Sequence, residues 1–245
     1  TLLAINSHQP MEGWYSWYEA HLVSGEGLNI LGGTFAGGAT IFHGVNEHLG
    51  WAHTVNHPDM SDVYRLEMHP TEPLKYKFDG KWKSLEVREY KSWVKLWWIL
   101  KVPVTRTSYM SVHGPTFETE EGYFAWRNIA SQDISGIEQW YKMNKATDYS
   151  SFMHALDMQG LPSMNIVYAD KEDNIYYLSN GRLPRRDVSF NWNGIMDGDT
   201  SATLWSMNEN YTIDYLPQVL NPDCGYVFNT NNTPFNSTGE ACNPK

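Results

Sequence analysis

The spacing of apolar and polar positions predicts short strands over the first half of the chain. The clearest alternation runs from Val63 to Met68, where Tyr64, Leu66 and Met68 fall on one face, as in a strand with one buried side. Glycine pairs at positions 32–33 and 37–38 predict breaks between strands. The further segments predicted as strands are Leu2–Asn6, Thr40–Phe42, Gly50–Val55, 94–100 and 102–107.

Between the short alternating segments 76–78 and 81–82 lies the dipeptide Asp79-Gly80. Both residue types tolerate positive φ, which the two-residue turns of β-hairpins require. The sequence therefore predicts a hairpin at this point.

The spacing changes to a helical one between Ser135 and Gln159. Ser135 and Glu138 form an S-x-x-E pattern that predicts a capping box, and Ile137, Trp140 and Tyr141 are predicted to share a face. A second helix is predicted to begin near Asp148.

The order of elements is strands, then helices, then strands again. Two strands are predicted at Ile166–Ala169 and Ile175–Leu178, followed by short strands such as Tyr226–Phe228 in a stretch rich in Asn, Pro, Gly and Asp. This order predicts an α+β layered fold with antiparallel sheets. The chain contains no internal repeat or charged linker, so we predict one domain over residues 1–245.

Composition narrows the classes of partner. The net charge is −10 over 245 residues, so binding to nucleic acid is not expected without a local basic patch, and none is long enough. The longest apolar run, from Trp93 to Leu100, is interrupted by Lys95 and is too short to span a membrane. Aromatic residues make up 14% of the chain, which suits a large core and an apolar pocket.

Three groups of residues could carry chemistry. Asn165 opens an apolar strand after Pro162, where its NH₂ either donates into a cleft or caps the turn. Asp59 and Asp62, with the carbonyl of Ser61 between them, are either hard oxygen ligands for a cation or a solvated acidic loop. Two cysteines, Cys224 and Cys242, either pair, as an extracytoplasmic location would favour, or remain thiols.

Read together, several segments of this chain resemble the catalytic β subunit of the penicillin acylase family, whose members are N-terminal nucleophile hydrolases. The order and spacing of these segments carry the resemblance, which runs from about Leu2 to Ser237. The segments are residues 50–64 (Gly-Trp-Ala-His-Thr-Val-Asn-His-Pro-Asp-Met-Ser-Asp-Val-Tyr), 162–165 (Pro-Ser-Met-Asn), 181–186 (Gly-Arg-Leu-Pro-Arg-Arg), 32–44, 113–115, 169–175, 221–226 and 229–234.

The resemblance implies a fold and a set of catalytic residues. The fold would be the αββα layered arrangement of N-terminal nucleophile hydrolases, present in part. The backbone N–H of Val55 and the side chain of Asn165 would hold the oxyanion of an attacked amide. His8 would match a histidine of the acyl-homoserine lactone acylases in the family, which orients the amine of the nucleophile. Arg186, or its neighbour Arg185 if the match slips by one residue, would support the asparagine.

The same resemblance implies a metal and a partner. A structural calcium ion would be bound by Asp59, Ser61 and Asp62, with further ligands from elsewhere, including an α subunit cut from the same precursor. Such enzymes would be periplasmic or secreted. The aromatic residues Trp14, Trp17 and Phe35 are candidates for the wall of an acyl pocket.

The catalytic nucleophile is not found at the position where the resemblance predicts it. Thr1 directly precedes the Leu-Leu-Ala segment, whereas the family begins with Ser, a strand and a turn before that segment. We therefore expect the nucleophilic Ser to lie upstream of Thr1. The chain is then a fragment, inactive alone, of an amidohydrolase acting on acyl-homoserine lactones, β-lactams or similar N-acyl amides.

Two other functions fit the residues. The Trp, Tyr, Asp and Glu content suits a carbohydrate-binding or glycosidase-like β-protein, which would require a pair of carboxylates in a cleft. A calcium-stabilised family member that binds without catalysis is the second alternative.

Overall fold

A computed structural model describes residues 1–6, 8–131 and 133–244. It contains fifteen strands and two α-helices among these residues. The strands are β1 (Trp17–Ser24), β2 (Leu28–Phe35), β3 (His43–Val45), β4 (Leu49–Thr54), β5 (Ser61–Leu66), β6 (Lys75–Phe78), β7 (Lys81–Ser84), β8 (Glu86–Lys95), β9 (Lys101–Ser111), β10 (Gly114–Thr119), β11 (Gly122–Asn128), β12 (Asn165–Asp170), β13 (Ile175–Ser179), β14 (Met196–Asp197) and β15 (Gln218–Leu220). The helices are α1 (Gly136–Lys145) and α2 (Tyr149–Leu156).

The described residues form two compact units. The first comprises Thr1–Asp59, Gln132–Leu183 and Tyr211–Lys245, as far as these are described, and the second comprises Met60–Ser131 and Pro184–Asn210. The prediction of one domain over residues 1–245 stays a prediction.

The first unit contains a seven-stranded sheet in the order β1-β2-β3-β4-β12-β13-β15, in which each neighbouring pair is antiparallel. Its core is aromatic and aliphatic: Trp51 and Tyr168 of the sheet contact Phe152 of α2. Burying these large side chains is the main driving force for packing the helices on the sheet.

The second unit contains a six-stranded sheet in the order β14-β5-β11-β10-β9-β8 and the separate hairpin β6-β7. Tyr64 and Leu66 of β5 are buried in its core, as the alternation predicted. Asp79 and Gly80 form the β6–β7 turn with φ angles of 47° and 72°, so the predicted hairpin is confirmed.

The helical region confirms one predicted start and corrects another. Asp148 caps α2 through a capping box with Ser151, as expected for a helix beginning there. The box predicted at Ser135 and Glu138 is wrong, because the Ser135 hydroxyl donates to Asp133 (2.6 Å) and Glu138 pairs with Lys142.

The predicted face of α1 is also wrong. Trp140 is 9% exposed, whereas Ile137 is 61% and Tyr141 is 39% exposed. The buried face of α1 instead combines Trp140 and Met143 with the amides Gln139 and Asn144.

Four strand predictions need correction. Residues 1–6 and 226–228 are not in strands, residues 96–100 form the loop between β8 and β9, and the strand predicted at Thr40–Phe42 begins only at His43. Gly32 and Gly33 lie inside β2 rather than breaking it. A Cβ atom on Gly32 would lie 2.0 Å from the carbonyl oxygen of His43, so only glycine permits the close approach of β2 and β3.

Candidate active site

The candidate site lies in the first unit, where the end of β4 meets the start of β12. The two strands are antiparallel, and Asn165 stands opposite Thr54. Val55 follows directly after β4 and is 55% exposed, whereas Asn165 is 1% exposed. The structure thus brings the two residues predicted as oxyanion donors together.

The turn that leads into Asn165 is held by two other amides. Met164 adopts a φ of 90°, and its N–H donates to Asn56 Oδ1 at 2.6 Å. Asn180 Nδ2 donates to the carbonyls of Leu161 (2.9 Å) and Ser163 (3.0 Å). A non-glycine residue at positive φ is costly, so these bonds fix where Asn165 enters the sheet.

The carboxamide of Asn165 is fully engaged. Its Nδ2 donates to Thr54 Oγ1 (3.0 Å), the Val55 carbonyl (3.2 Å) and Asn229 Oδ1 (3.1 Å). Its Oδ1 accepts a hydrogen bond from the Tyr177 hydroxyl at 2.9 Å. This orientation of the amide is the one in which NH₂, rather than oxygen, faces the end of β4.

The backbone N–H of Val55 is engaged as well, because it donates to Asn231 Oδ1 at 2.9 Å. Asn229 and Asn231 were not assigned a role from the sequence, although their segment, 229–234, is one of those that resemble the family. Apart from that resemblance, the sequence shows a run of asparagines in a polar stretch, which has no periodicity that could place it beside β4.

A cavity of about 1080 Å³ lies against the end of β4. Its described lining includes Val55, Asn229 and Asn231, together with an apolar wall. In that wall, Trp17 stacks on Phe35 with ring centroids 4.6 Å apart, and Phe35 meets Phe42 at 5.0 Å. Trp14, by contrast, is 94% exposed.

His8 also lines this cavity. Its φ is 51°, and its backbone N–H donates to Asn6 Oδ1 at 3.0 Å. The preceding residue, Ser7, lies outside the described residues.

Two histidines, the buried His53 and the half-buried His43, lie beside Val55 and Asn165, and sequence reasoning assigned neither to the site. His53 Nε2 accepts from Trp140 Nε1 (3.0 Å), and its Nδ1 lies 3.3 Å from the Asn165 carbonyl. An indole nitrogen only donates, so Nδ1 carries the ring hydrogen and donates to Asn165. The His53 N–H in turn donates to His43 Nε2 at 3.3 Å.

Both imidazoles are held neutral. Burial lowers the pKa of His53 to about 3, with a smaller contribution from the nearby His43, and burial lowers the pKa of His43 to about 4. A neutral ring with a fixed tautomer can position the backbone of Asn165 without adding charge beside it.

Thr1 is placed away from Asn165. Its ammonium group and hydroxyl contact Asp173 Oδ1 at 3.1 and 2.6 Å. Asp173 lies in the turn after β12, at the opposite end of that strand from Asn165. Five residue steps along a strand span roughly 17 Å, so the Thr1 hydroxyl does not approach the Asn165 amide.

The predicted supporting residue Arg186 belongs to the second unit. Its Nε donates to Asp62 Oδ2 at 2.8 Å, and its guanidinium lies 5.7 Å from the ring centre of Trp192. Trp205 Nε1 donates to the same oxygen of Asp62 at 2.7 Å. Arg185 contacts the carbonyl of Asn210.

The contacts of Asp62 affect its availability as a calcium ligand. Of Asp59, Ser61 and Asp62, the last already pairs with a guanidinium through a buried carboxylate. Within the described part of the chain, no group of three or more His, Cys, Asp and Glu side chains could hold a metal ion. Calcium takes six to eight oxygen ligands, so these residues alone do not fit it, and calcium stays a prediction.

Comparison with known proteins identifies the class. The family model described as "Penicillin amidase" matches residues 1–243, and the chain therefore belongs to the penicillin amidase family. A solved structure of the thermostable penicillin G acylase from Alcaligenes faecalis superimposes with a TM-score of 0.80 at 24% identity, covering 96% of this chain and 43% of that one. This match confirms the predicted α+β fold.

Two curated relatives are similar in sequence. The acyl-homoserine lactone acylase PvdQ of Pseudomonas fluorescens (strain Pf0-1) is 28% identical over 91% of this chain and 32% of its own length. The penicillin G acylase of Escherichia coli is 27% identical over 94% of this chain and 27% of its own length. The chain thus spans about a third of the curated relatives that it matches.

Two remaining sequence predictions concern cysteines and membranes. Cys224 and Cys242 form a disulfide, which settles the alternative left open by the sequence. None of the helices within the described ranges is both long enough and apolar enough to cross a membrane.

Proposed function

We propose that this chain is part of the catalytic subunit of an amidohydrolase that cleaves the amide bond of an N-acylated small molecule. The observation that carries the proposal is the contact of the Asn165 carboxamide with Val55, which lines an aromatic-walled cavity. Amide hydrolysis needs donors beside the carbonyl oxygen and an apolar site for the acyl group. The carbohydrate alternative is not favoured, because the groups meeting here are amides rather than paired carboxylates.

The proposed reaction proceeds through an acyl-enzyme. A serine outside this chain attacks the substrate carbonyl carbon, and its proton passes through its own α-amine. The Val55 N–H and Asn165 Nδ2 hold the resulting oxyanion. The C–N bond then breaks, the amine leaves with that proton, and water cleaves the ester to release the acid and the serine.

The substrate we propose has an apolar acyl chain. Support comes from Trp17, Phe35 and Phe42 in the cavity wall and from relatives named as acyl-homoserine lactone and penicillin G acylases. The position of His8 on the cavity supports the first of these classes slightly, since it is the residue expected to match that class.

We further propose that an α subunit from the same precursor completes the site and supplies the calcium ligands that Asp59, Ser61 and Asp62 lack. A calcium titration showing no binding to the complete protein would contradict this. The Cys224–Cys242 disulfide supports a periplasmic or secreted location, and recovery of the protein from the cytoplasm would contradict it.

The central experiment replaces Asn165 in the complete, processed protein. We expect Asn165→Ala to lower kcat for phenylacetyl or long-chain acyl amides about 100- to 1000-fold, because one oxyanion donor is lost. KM should change little, since the donor acts mainly in the transition state.

The matched control is Asn29→Ala, which removes an exposed amide on β2 and should leave kcat unchanged. Equal activity of the Asn165→Ala variant and the unmodified protein would contradict the proposed role. Absence of hydrolysis in the unmodified protein would contradict the proposed function itself.

A further inference from the structure

The hairpin of β8 and β9 in the second unit extends beyond the sheet to which it belongs. Its two strands pair as far as Lys95 and Lys101. Among the described residues, β9 pairs with β10 only from Tyr109 to Ser111. The rest of the hairpin, residues 88–108, is therefore a two-stranded ribbon, which we call the projecting hairpin. Seven residue steps along β9 give it a length of roughly 24 Å.

The tip of the projecting hairpin, residues 96–100, is apolar and exposed. Its residues Trp97, Trp98 and Ile99 are 76%, 85% and 94% exposed. Next to the tip, Trp93 and Val94 are 62% and 42% exposed. Successive strand residues point to opposite faces, so neither face of the hairpin is covered by the described residues. Exposed apolar surface of this kind marks a contact with a protein or a membrane.

The charge of the projecting hairpin is opposite to that of the whole chain. Residues 90–117 contain Lys91, Lys95, Lys101 and Arg106 but no Asp or Glu, although the chain has a net charge of −10. Lys95 and Lys101 stand directly opposite each other, and both are exposed. Like charges in such a cross-strand pair destabilise a hairpin. An anionic surface would compensate this repulsion.

The lysines lie beside the indole rings. Lys95, Trp97 and Trp98 line one open cleft, and the Lys91 ammonium lies 5.6 Å from the ring centre of Trp93. Tryptophan is enriched where hydrocarbon meets lipid headgroups, because its ring is apolar and its N–H is polar. Lysines near such a boundary are attracted to anionic lipids. The hairpin thus combines an apolar tip with a cationic stem.

We propose that the projecting hairpin binds an anionic lipid bilayer. The tip enters the headgroup region, and Lys91, Lys95 and Lys101 contact lipid phosphates. A bilayer surrounds an inserted tip on all sides, which fits a hairpin exposed on both faces, whereas a protein packed on one face would leave the other exposed. The tip is too short to span the bilayer and lies in its interface. This proposal goes beyond the proposed amidohydrolase function and does not depend on it.

Vesicle sedimentation with the complete, processed protein tests the proposal. The protein should bind vesicles of equal parts phosphatidylcholine and phosphatidylglycerol, and binding should weaken as salt rises, because salt screens the lysines. Ile99→Ser should weaken binding roughly tenfold or more, because an apolar side chain no longer enters the lipid. The matched control is Ile134→Ser in the first unit, where the isoleucine is 95% exposed, and it should leave binding unchanged.

A second pair of variants tests the role of charge. Lys101→Gln should weaken binding to the anionic vesicles roughly fivefold, which is the effect of one basic residue near an anionic surface. It should not change the weaker binding to vesicles of phosphatidylcholine alone. The matched control Lys81→Gln removes an exposed lysine on β7 and should change neither.

Quenching by lipids with brominated acyl chains reports directly on insertion, because bromine quenches only indoles that it approaches closely. The tryptophan emission of the complete protein should fall when it binds such vesicles. The double variant Trp97→Phe, Trp98→Phe keeps an apolar tip, so it should still bind but lose most of that fall in emission. Trp82→Phe, on β7, is the control and should retain the fall.

The results that would overturn the proposal are specific. One is that the unmodified complete protein fails to sediment with the anionic vesicles, and another is that Ile99→Ser and Ile134→Ser weaken binding equally. A third is that Ile99→Ser leaves vesicle binding unchanged but disrupts association with the α subunit or a second copy in size-exclusion chromatography, because a protein then covers the tip. None of these measurements uses hydrolysis, so this proposal and the proposed function fail independently.

Discussion

The buried polar cluster around Asn165 in the first unit consists of neutral groups, whereas the cluster around Asp62 in the second unit is an ion pair. Asn165 is satisfied by the hydroxyls of Thr54 and Tyr177 and the amide of Asn229. Asp62 is satisfied by a guanidinium and an indole N–H.

The difference has a chemical consequence. A neutral amide can exchange one acceptor for another with little change in free energy, which suits a site that must receive a substrate oxygen. A buried ion pair strongly resists losing either partner, which suits a structural role. We therefore expect the two clusters to respond differently to substitution and to pH.

The largest effect should come from breaking the ion pair. The Asp62 and Arg186 side chains are 2% and 13% exposed, so Asp62→Asn removes the negative charge opposite a largely buried guanidinium. We expect the free energy of unfolding to fall by about 3 to 5 kcal/mol, measured by urea denaturation.

The control for this change is an exposed pair in the other unit. Glu138 and Lys142 form an ion pair on α1 with side chains 60% and 43% exposed. Glu138→Gln should cost at most about 0.5 kcal/mol. A similar small loss in Asp62→Asn would contradict a structural role for the buried pair.

The sequence predicted part of the Asn165 cluster, although the role of Val55 came only from the family resemblance. Asn165 and Val55 each stand at the end of a strand with a readable apolar pattern, and β4 and β12 are neighbours in one sheet. Their partners Asn229 and Asn231 are 64 and 176 residues away from Asn165 and Val55, respectively. No local pattern specifies such a contact, so this half of the cluster required the structure.

The difference between local and distant contacts also explains which predictions of secondary structure were wrong. The Asp148 cap and the Asp79-Gly80 hairpin depend on residues close in sequence and were predicted correctly. The Ser135 box failed because a nearby carboxylate competed for its hydroxyl. The position of Gly32 inside a strand depends on the approach of β3, which glycine content alone does not reveal.

The intermediate effect is the contribution of a single histidine to the dependence of stability on pH, and both units contain such histidines. Burial lowers the pKa of His113 in the second unit to about 4, as it lowers those of His43 and His53 in the first. Between pH 4.5 and the ordinary value of 6.5, the unfolded chain binds more protons at these rings than the folded chain. The free energy of unfolding should therefore rise with pH across this window.

The size of this effect is about 2 to 3 kcal/mol for each ring between pH 4.5 and 7, at 1.36 kcal/mol per pKa unit. Urea denaturation at several pH values measures it. The substitution His113→Gln should reduce the change in the free energy of unfolding with pH by the contribution of one histidine. A slope unchanged by this substitution would show that His113 is not held neutral in the folded state.

The smallest effect should come from the hydroxyl that orients Asn165, and it tests the neutral cluster directly. Tyr177→Phe removes one hydrogen bond to Asn165 Oδ1 and should lower the free energy of unfolding by about 1 kcal/mol. The neighbouring Tyr176→Phe removes a comparable bond to Gln218 (2.7 Å) and should cost about the same. Only Tyr177→Phe should also lower kcat of the complete protein, because only Tyr177 contacts the proposed oxyanion donor. Equal kcat values for the two variants would mean that the orientation of Asn165 does not depend on Tyr177, and the cluster would then be structural in the same sense as the ion pair.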